Sequence, residues 1–271
     1  MDTESFKQPF LKLIYPMELY NMLNLSFDYP RVSDQNYLLL LDARKLHEYN
    51  ESHIFTAKKA SKNDNDEFTV THDAELECKI NIVVYDGTTE SLDELDTPAM
   101  QCGSWYERFS ALYPFLRTQK ILWLPQELDD IKTYPIEILP ATLYLGNSRQ
   151  GTAEYITKDL KLQGKICLQE GVEPVNDEHR MNIPIADNKD ADLTPYLNNV
   201  CAFIDLHREK KLPVLVYSDL GYSRAAAVCI AYLMHINPTK PTVQESYEQI
   251  RRCNEHACPT TALLTQLEAW Q

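Results

Sequence analysis

Leu212-Pro213-Val214-Leu215-Val216-Tyr217-Ser218-Asp219-Leu220-Gly221-Tyr222-Ser223-Arg224-Ala225, running on into Ala226-Ala227-Val228-Cys229-Ile230-Ala231-Tyr232-Leu233-Met234, decides how this chain is read. Four β-favouring apolar residues enter a turn of small and polar residues, and the turn opens an Ala-rich helix. A strand, loop and helix in that order gather the free N–H groups of the loop and the helix N-terminus around one point, which makes a cradle for an anion. Arg224, six residues after Ser218, adds a planar fork suited to phosphate. The candidate phosphate loop is therefore Ser218, Asp219, Leu220, Gly221, Tyr222, Ser223 and Arg224. Asp219 opposes that role. Its carboxylate would repel a bound anion by about 4 kcal/mol per charge pair at ~4 Å and a dielectric of ~20, unless it points to solvent or is protonated.

The frame around this loop is that of a soluble globular chain. Its 271 residues are enough for two domains, with 44% apolar and 24% charged residues. The net charge of −14 is spread over both halves, −8 in residues 1–125 and −6 in residues 126–271. Neither half has the basic footprint of a nucleic-acid binder, so anion recognition has to come from local geometry. No apolar run approaches a membrane span. The acidic start Met1-Asp2-Thr3-Glu4-Ser5 argues against a secretory or Arg-rich transit peptide, so a cytoplasmic location is expected and a mitochondrial one is not indicated. Seven cysteines, an odd number, fit free thiols in a reducing compartment. Cys253 and Cys258 have no second pair to complete a zinc site, and nothing calls for a metal or cofactor.

The loop closely resembles the His-Cys-x5-Arg signature of the dual-specificity protein phosphatases, through Gly221, Ser223, Arg224 and the following Ala231-Tyr232-Leu233-Met234. By that resemblance Ser218 stands at the nucleophilic Cys position, Tyr217 at the preceding His and Ala225 at the Ser/Thr after the Arg. The family's chemistry needs a thiolate, so the resemblance implies a catalytically dead loop. Tyr134–Asn147 matches the opening strands of that domain, and Lys158–Leu168 its next helix and strand, with Cys167 where the family usually has Asn. Asp187, closing Met181-Asn182-Ile183-Pro184-Ile185-Ala186, occupies the general-acid position; on sequence alone such an Asp is more often a turn or cap residue. Leu197, Val200, Cys201 and Ile204 give a core-facing helix. Pro241-Thr242 starts another, whose last turn holds Arg251 and Arg252, and Cys258–Trp270 matches the closing helix.

In the first half, Met17–Leu23 has helical spacing, while Tyr37–Arg44 and Ile80–Gly87 are apolar runs of buried parallel strands. Leu41-Asp42-Ala43-Arg44, Glu48-Tyr49 with His53-Ile54, and Val83-Val84-Tyr85 resemble the rhodanese-like domain that precedes the catalytic domain in MAP kinase phosphatases. Asp86 stands at the position of the persulfide-forming Cys, which excludes sulfur transfer by the resemblance; Cys102 reads as an ordinary thiol. His53, Asp42 and Arg44 read as structural, the last two as an ion pair or hydrogen-bonded anchor. Around residues 88–101 an acidic stretch replaces the family's helix and strand, either as a lost element or as a partly ordered loop. In the MAP kinase phosphatases this domain often carries a kinase-docking cluster. Arg44, Lys45, Lys58, Lys59 and Lys62 are candidates, but beside Asp64, Asp66 and Glu67 they read better as a solvated mixed-charge loop.

The expectation is an α/β chain with a rhodanese-like domain over 1–125, a linker over 126–134 hinging around Asp129–Tyr134, and a dual-specificity-phosphatase-like domain over 135–271, its central sheet flanked by helices. The implied function is that of a pseudophosphatase, a regulatory or scaffold protein binding phosphoproteins or signalling partners, MAP kinases or other phosphatases among them. The alternative is a weak hydrolase using Ser218, for which neither His207 nor His235 can be placed as a base from sequence. A scaffold with a vestigial loop is the third reading.

Overall fold

The computed structural model describes residues 12–26, 29–63, 65, 68–69, 78–87, 105–121, 125–128, 131–188 and 190–270. It divides into two units: residues 1–19 with 35–123, and residues 20–34 with 124–271.

The first unit is built on β1 (Leu38–Asp42), whose apolar run lies between two parallel neighbours, β3 (Lys58–Lys59) and β6 (Asn81–Tyr85). The division between units falls within α1 (Pro16–Asn24); α2 (Leu46–Glu51) and α3 (Trp105–Leu112) belong to the first. Short antiparallel pairs join β2 (His53–Ile54) to β7 (Arg117–Thr118) and β4 (Ser61–Lys62) to β5 (Phe68–Thr69). At the end of β1, Asp42 is fully buried and takes hydrogen bonds from the backbone N–H, Nε and Nη2 of Arg44 and from the Tyr85 hydroxyl. The Arg44 guanidinium also lies 3.4 Å from the centre of the Tyr106 ring, so a buried charge is both paired and stacked. Burial works against the Arg44 charge, but hydrogen bonding and attraction to Asp42 outweigh it and raise its pKa. His53 is buried, stacked 4.1 Å over Tyr49, with Nδ1 2.9 Å from the Tyr49 carbonyl. The acidic stretch 88–101, Cys102 and the neutralising Asp64, Asp66 and Glu67 lie outside the described residues.

The second unit is a six-stranded sheet in the order β11-β12-β10-β13-β9-β8, made of β8 (Ile136–Leu139), β9 (Leu143–Asn147), β10 (Gly164–Gln169), β11 (Val175–Asn176), β12 (Arg180–Pro184) and β13 (Val214–Ser218). β13 sits in the interior between parallel β10 and β9 and is buried throughout, which explains its unbroken apolar run. Its helices are α4 (Ser148–Thr152), α5 (Glu154–Asp159), α6 (Leu197–Glu209), α7 (Arg224–Ile236), α8 (Val243–Cys253) and α9 (Thr261–Trp270). α7 is the central one: Arg224 to Met234 are all buried, and it packs on β13, β9, α6, α8 and α9. Small Ala residues at 225, 226, 227 and 231, all fully buried, allow that approach from several sides.

The structure departs from the expected boundaries at two places. Residues 20–34, expected with the first half, count with the second unit. There the Tyr20 hydroxyl donates to the Pro135 carbonyl, and the Asn21 side chain both donates to the Glu137 carbonyl and accepts from its N–H, each at 2.8 Å. Of the expected hinge, Asp129 and Asp130 lie outside the described residues, and Tyr134 is held in place. It is buried, its N–H donates to Asn24 Oδ1 and its hydroxyl to Asp159 Oδ2 at 2.6 Å. Among the described residues no helix is long and apolar enough to cross a membrane.

Candidate functional site

The loop 218–224 joins the C-terminal end of β13 to the N-terminus of α7, the edge of a parallel sheet where ligands collect in open α/β folds. Gly221 has φ +82°, and a Cβ there would come within 2.5 Å of the Gly146 carbonyl oxygen, so the loop backbone lies directly on the end of β9. Ser218, 2% exposed, accepts a hydrogen bond at its Oγ from the Gly221 N–H at 3.2 Å. Leu220 is exposed at the crown, while Tyr222 accepts at its carbonyl from the Cys258 N–H.

Arg224 is 1% exposed and held on several sides. Nη1 donates to the Ile185 carbonyl at 2.5 Å, Nη2 pairs with Asp219 Oδ2, and Asp187 Oδ2 lies 3.3 Å from the same nitrogen. Arg224 Nε and Ser223 Oγ are buried without a hydrogen-bond partner. The sequence left Asp219 two ways out, solvent or protonation, and the structure takes neither. Its carboxylate turns onto Arg224 and accepts from Gln169 Nε2 at Oδ1, 2.6 Å away. Its backbone carbonyl accepts from the Ser148 N–H and hydroxyl. Partial burial disfavours its ionised form, but the hydrogen bonds from Gln169 and Arg224 and the Arg224 charge prevail and lower its pKa. The site therefore brings together one buried guanidinium and two carboxylates.

Tyr217 is buried, and its ring fills the place a side chain on residue 151 would need: a Cβ on Gly151 would lie 2.5 Å from it. Burial, followed by its hydrogen bond to Cys167, moves its phenol above the usual range. Cys167, on the neighbouring strand β10, donates to Gln169 Oε1 at 3.2 Å, and burial raises its thiol pKa. Ala225 is fully buried in the first turn of α7. The two histidines considered as bases are engaged elsewhere, His207 Nδ1 with the Phe203 carbonyl at 2.8 Å and His235 Nε2 with Asp205 at 2.7 Å. Sequence reasoning missed Gln169 at the end of β10, Ser148 at the start of α4 and the Ile185 carbonyl after β12, which reach the loop, and Gly151, which meets Tyr217.

Residues 143–271 match the family described as dual specificity phosphatase, catalytic domain. The second unit carries a dual-specificity phosphatase domain. Human dual specificity protein phosphatase 1 is 30% identical over 135 residues, 49% of this chain and 36% of that protein. Human dual specificity protein phosphatase 16 is 25% identical over 276 residues, 85% of this chain and 40% of that protein. The chain thus spans well under half the length of these relatives. Among solved structures, DUSP15 is 25% identical, covering 51% of this chain and 86% of its own, with a TM-score of 0.46. Human tyrosine phosphatase-like serine/threonine/tyrosine-interacting protein is 21% identical, covering 51% and 96%, also at 0.46.

In the first unit, Asp86 follows β6 and lines a groove of about 1090 Å³ with Arg44, Lys45, Lys59, Ile82 and Val84. Lys59 Nζ is turned onto the carbonyls of Asp42 and Ala60, and burial lowers its pKa. Among the described residues no group of His, Cys, Asp and Glu could hold a metal ion.

Proposed function

We propose that this chain is a pseudophosphatase, a regulatory or scaffold protein of the reducing cytoplasm that recognises phosphoproteins through the loop 218–224 and does not hydrolyse them. The observation that carries this reading is Ser218 at the base of the loop, a buried hydroxyl that accepts from the Gly221 N–H while His207 and His235 are bonded elsewhere. An alcohol without an adjacent base stays protonated at neutral pH, whereas displacement at phosphorus needs an activated nucleophile. Cys167 offers no substitute, because burial keeps its thiol protonated. Arg224 remains in place to bind an oxyanion. The pattern resembles serine/threonine/tyrosine-interacting-like protein, a MAP-kinase-phosphatase-like pseudophosphatase, with a rhodanese-like first unit in which Asp86 leaves no sulfur-transfer chemistry. Its partners are then phosphorylated signalling proteins, MAP kinases or other phosphatases among them.

Calorimetry of the full chain with a phosphotyrosine peptide and its unphosphorylated twin tests the binding. The phosphorylated peptide should bind, and Arg224→Ala should abolish binding while the fold survives. Aryl phosphate turnover at high protein concentration tests the chemistry. No turnover is expected, and activity lost on Ser218→Ala would overturn the reading in favour of a serine-dependent hydrolase. Tyr217→His with Ser218→Cys should restore low activity, since Asp187 and Arg224 already lie together at the loop.

A further inference from the structure

We infer that Asp219 is a built-in ligand of the phosphate loop: its carboxylate occupies the Arg224 fork in the resting state, and a phosphate monoester binds by displacing it. This rests on the loop being an oxyanion site, as proposed above. The carboxylate under-fills its place. The Nε–H of a guanidinium and one N–H of Nη2 point along the same edge, the edge that grips two oxygens of one anion. Asp219 takes the Nη2 end of that edge, and Nε is left buried without an acceptor. Its other oxygen is turned to Gln169 Nε2 and not to Nε. Ser223 Oγ, one residue before Arg224, is a second buried polar atom without a partner. Buried donors left idle carry a penalty of desolvation that a better-fitting ligand would remove. A tetrahedral phosphate presents three oxygens, enough for Nη2, Nε and the Ser223 hydroxyl together.

Displacement has a route. The Asp219 side chain is 49% exposed, and Gln169 can keep Oδ1 while Oδ2 leaves Arg224. Asp187 differs. It lies outside the loop, and its Oδ2 is an ion-pair partner 3.3 Å from Nη2. It contributes charge to the site without occupying the fork.

The experiment measures the binding of phenyl phosphate to the full chain by calorimetry, for the parent, Asp219→Asn, Asp187→Asn, and Arg224→Ala in the parent and Asp219→Asn backgrounds. Asp219→Asn keeps the shape and the Gln169 contact while removing the competing charge. It should tighten binding ten- to a hundred-fold, and Arg224→Ala should abolish binding in both backgrounds. Asp187→Asn should gain less than about threefold. Equal gains from the two Asp→Asn changes would mean that only net charge matters, and the occupancy proposal would fall. Parent and Asp219→Asn binding alike, still through Arg224, would overturn the occupancy while leaving the phosphate-loop reading intact. Tightening that survives Arg224→Ala would place the ligand elsewhere and overturn it too. Should no variant bind, although all melt like the parent, the phosphate-loop reading itself fails and takes this inference with it. Asp219→Ala repeats the test if Asp219→Asn does not fold.

Discussion

At the scale of single residues, two contacts around the loop make the sharpest tests. Gly151 exists in its present form because the Tyr217 ring stands where a Cβ would go. Gly151→Ala should destabilise the second unit by about 1–3 kcal/mol through overpacking. Tyr217→Ala, costly on its own, should remove that sensitivity. A double-mutant cycle by urea unfolding checks this, and additive effects would show that the two side chains are uncoupled. Asp219 gives a pH test. Its pKa is lowered in the folded state, so its contribution to stability is present above the ordinary carboxylate value of about 3.9 and is lost as pH falls through the lower folded value. The parent should therefore be more stable than Asp219→Asn near pH 6, with the difference closing below roughly pH 3. A difference that is constant with pH would remove the ionised carboxylate from the account. The loop itself was legible in the sequence because Ser218 and Arg224 are held by local spacing. Gln169 was not, because parallel pairing of Leu168 with Ser218 brings it there from 50 positions away.

At the scale of elements, the end signals of helices could be read where the partner groups are close in sequence. α8 opens with a reciprocal cap, the Thr242 hydroxyl accepting from the Glu245 N–H while the Glu245 carboxylate accepts from the Thr242 N–H. Thr242→Ala should cost about 1 kcal/mol, measured as a lower urea midpoint with unchanged slope. Its last turn carries Arg251 and Arg252, where cations favour the helix dipole. The periodicity of residues 17–23 predicted a helix but could not say what it meets. Asn21 acts as a one-residue strand on the edge of the sheet: its amide satisfies both the N–H and the carbonyl of Glu137 in β8. An unpaired sheet edge is a template for association, so this pairing also protects the chain. Asn21→Ala leaves two buried backbone groups unmet and should cost roughly 2–4 kcal/mol. Light scattering of the folded variant reports the exposed edge, and a variant as stable as the parent would show that water replaces the amide without loss.

At the scale of the whole molecule, the two units respond to separate lesions. Asp42→Ala strands Arg44, 8% exposed, without its counter-ion and should destabilise the first unit by about 3–5 kcal/mol. Hydrogen exchange should then quicken in β1 and β6 while β13 and α7 keep their protection. Loss of protection in both would show that the chain unfolds as one. The two-part organisation was legible because each half carries its own buried parallel strand. The excursion of residues 20–34 into the second unit was not, since it depends on partners more than a hundred positions away. That excursion sets a timetable for biosynthesis. Tyr20 reaches the ribosome exit 115 positions before Pro135, to which its hydroxyl bonds. At about 5–20 residues per second the delay is roughly 6–23 s. Through that interval Tyr20, buried in the finished protein, has been made while Pro135 has not. Slowing translation should lengthen the time for which Tyr20 waits for Pro135.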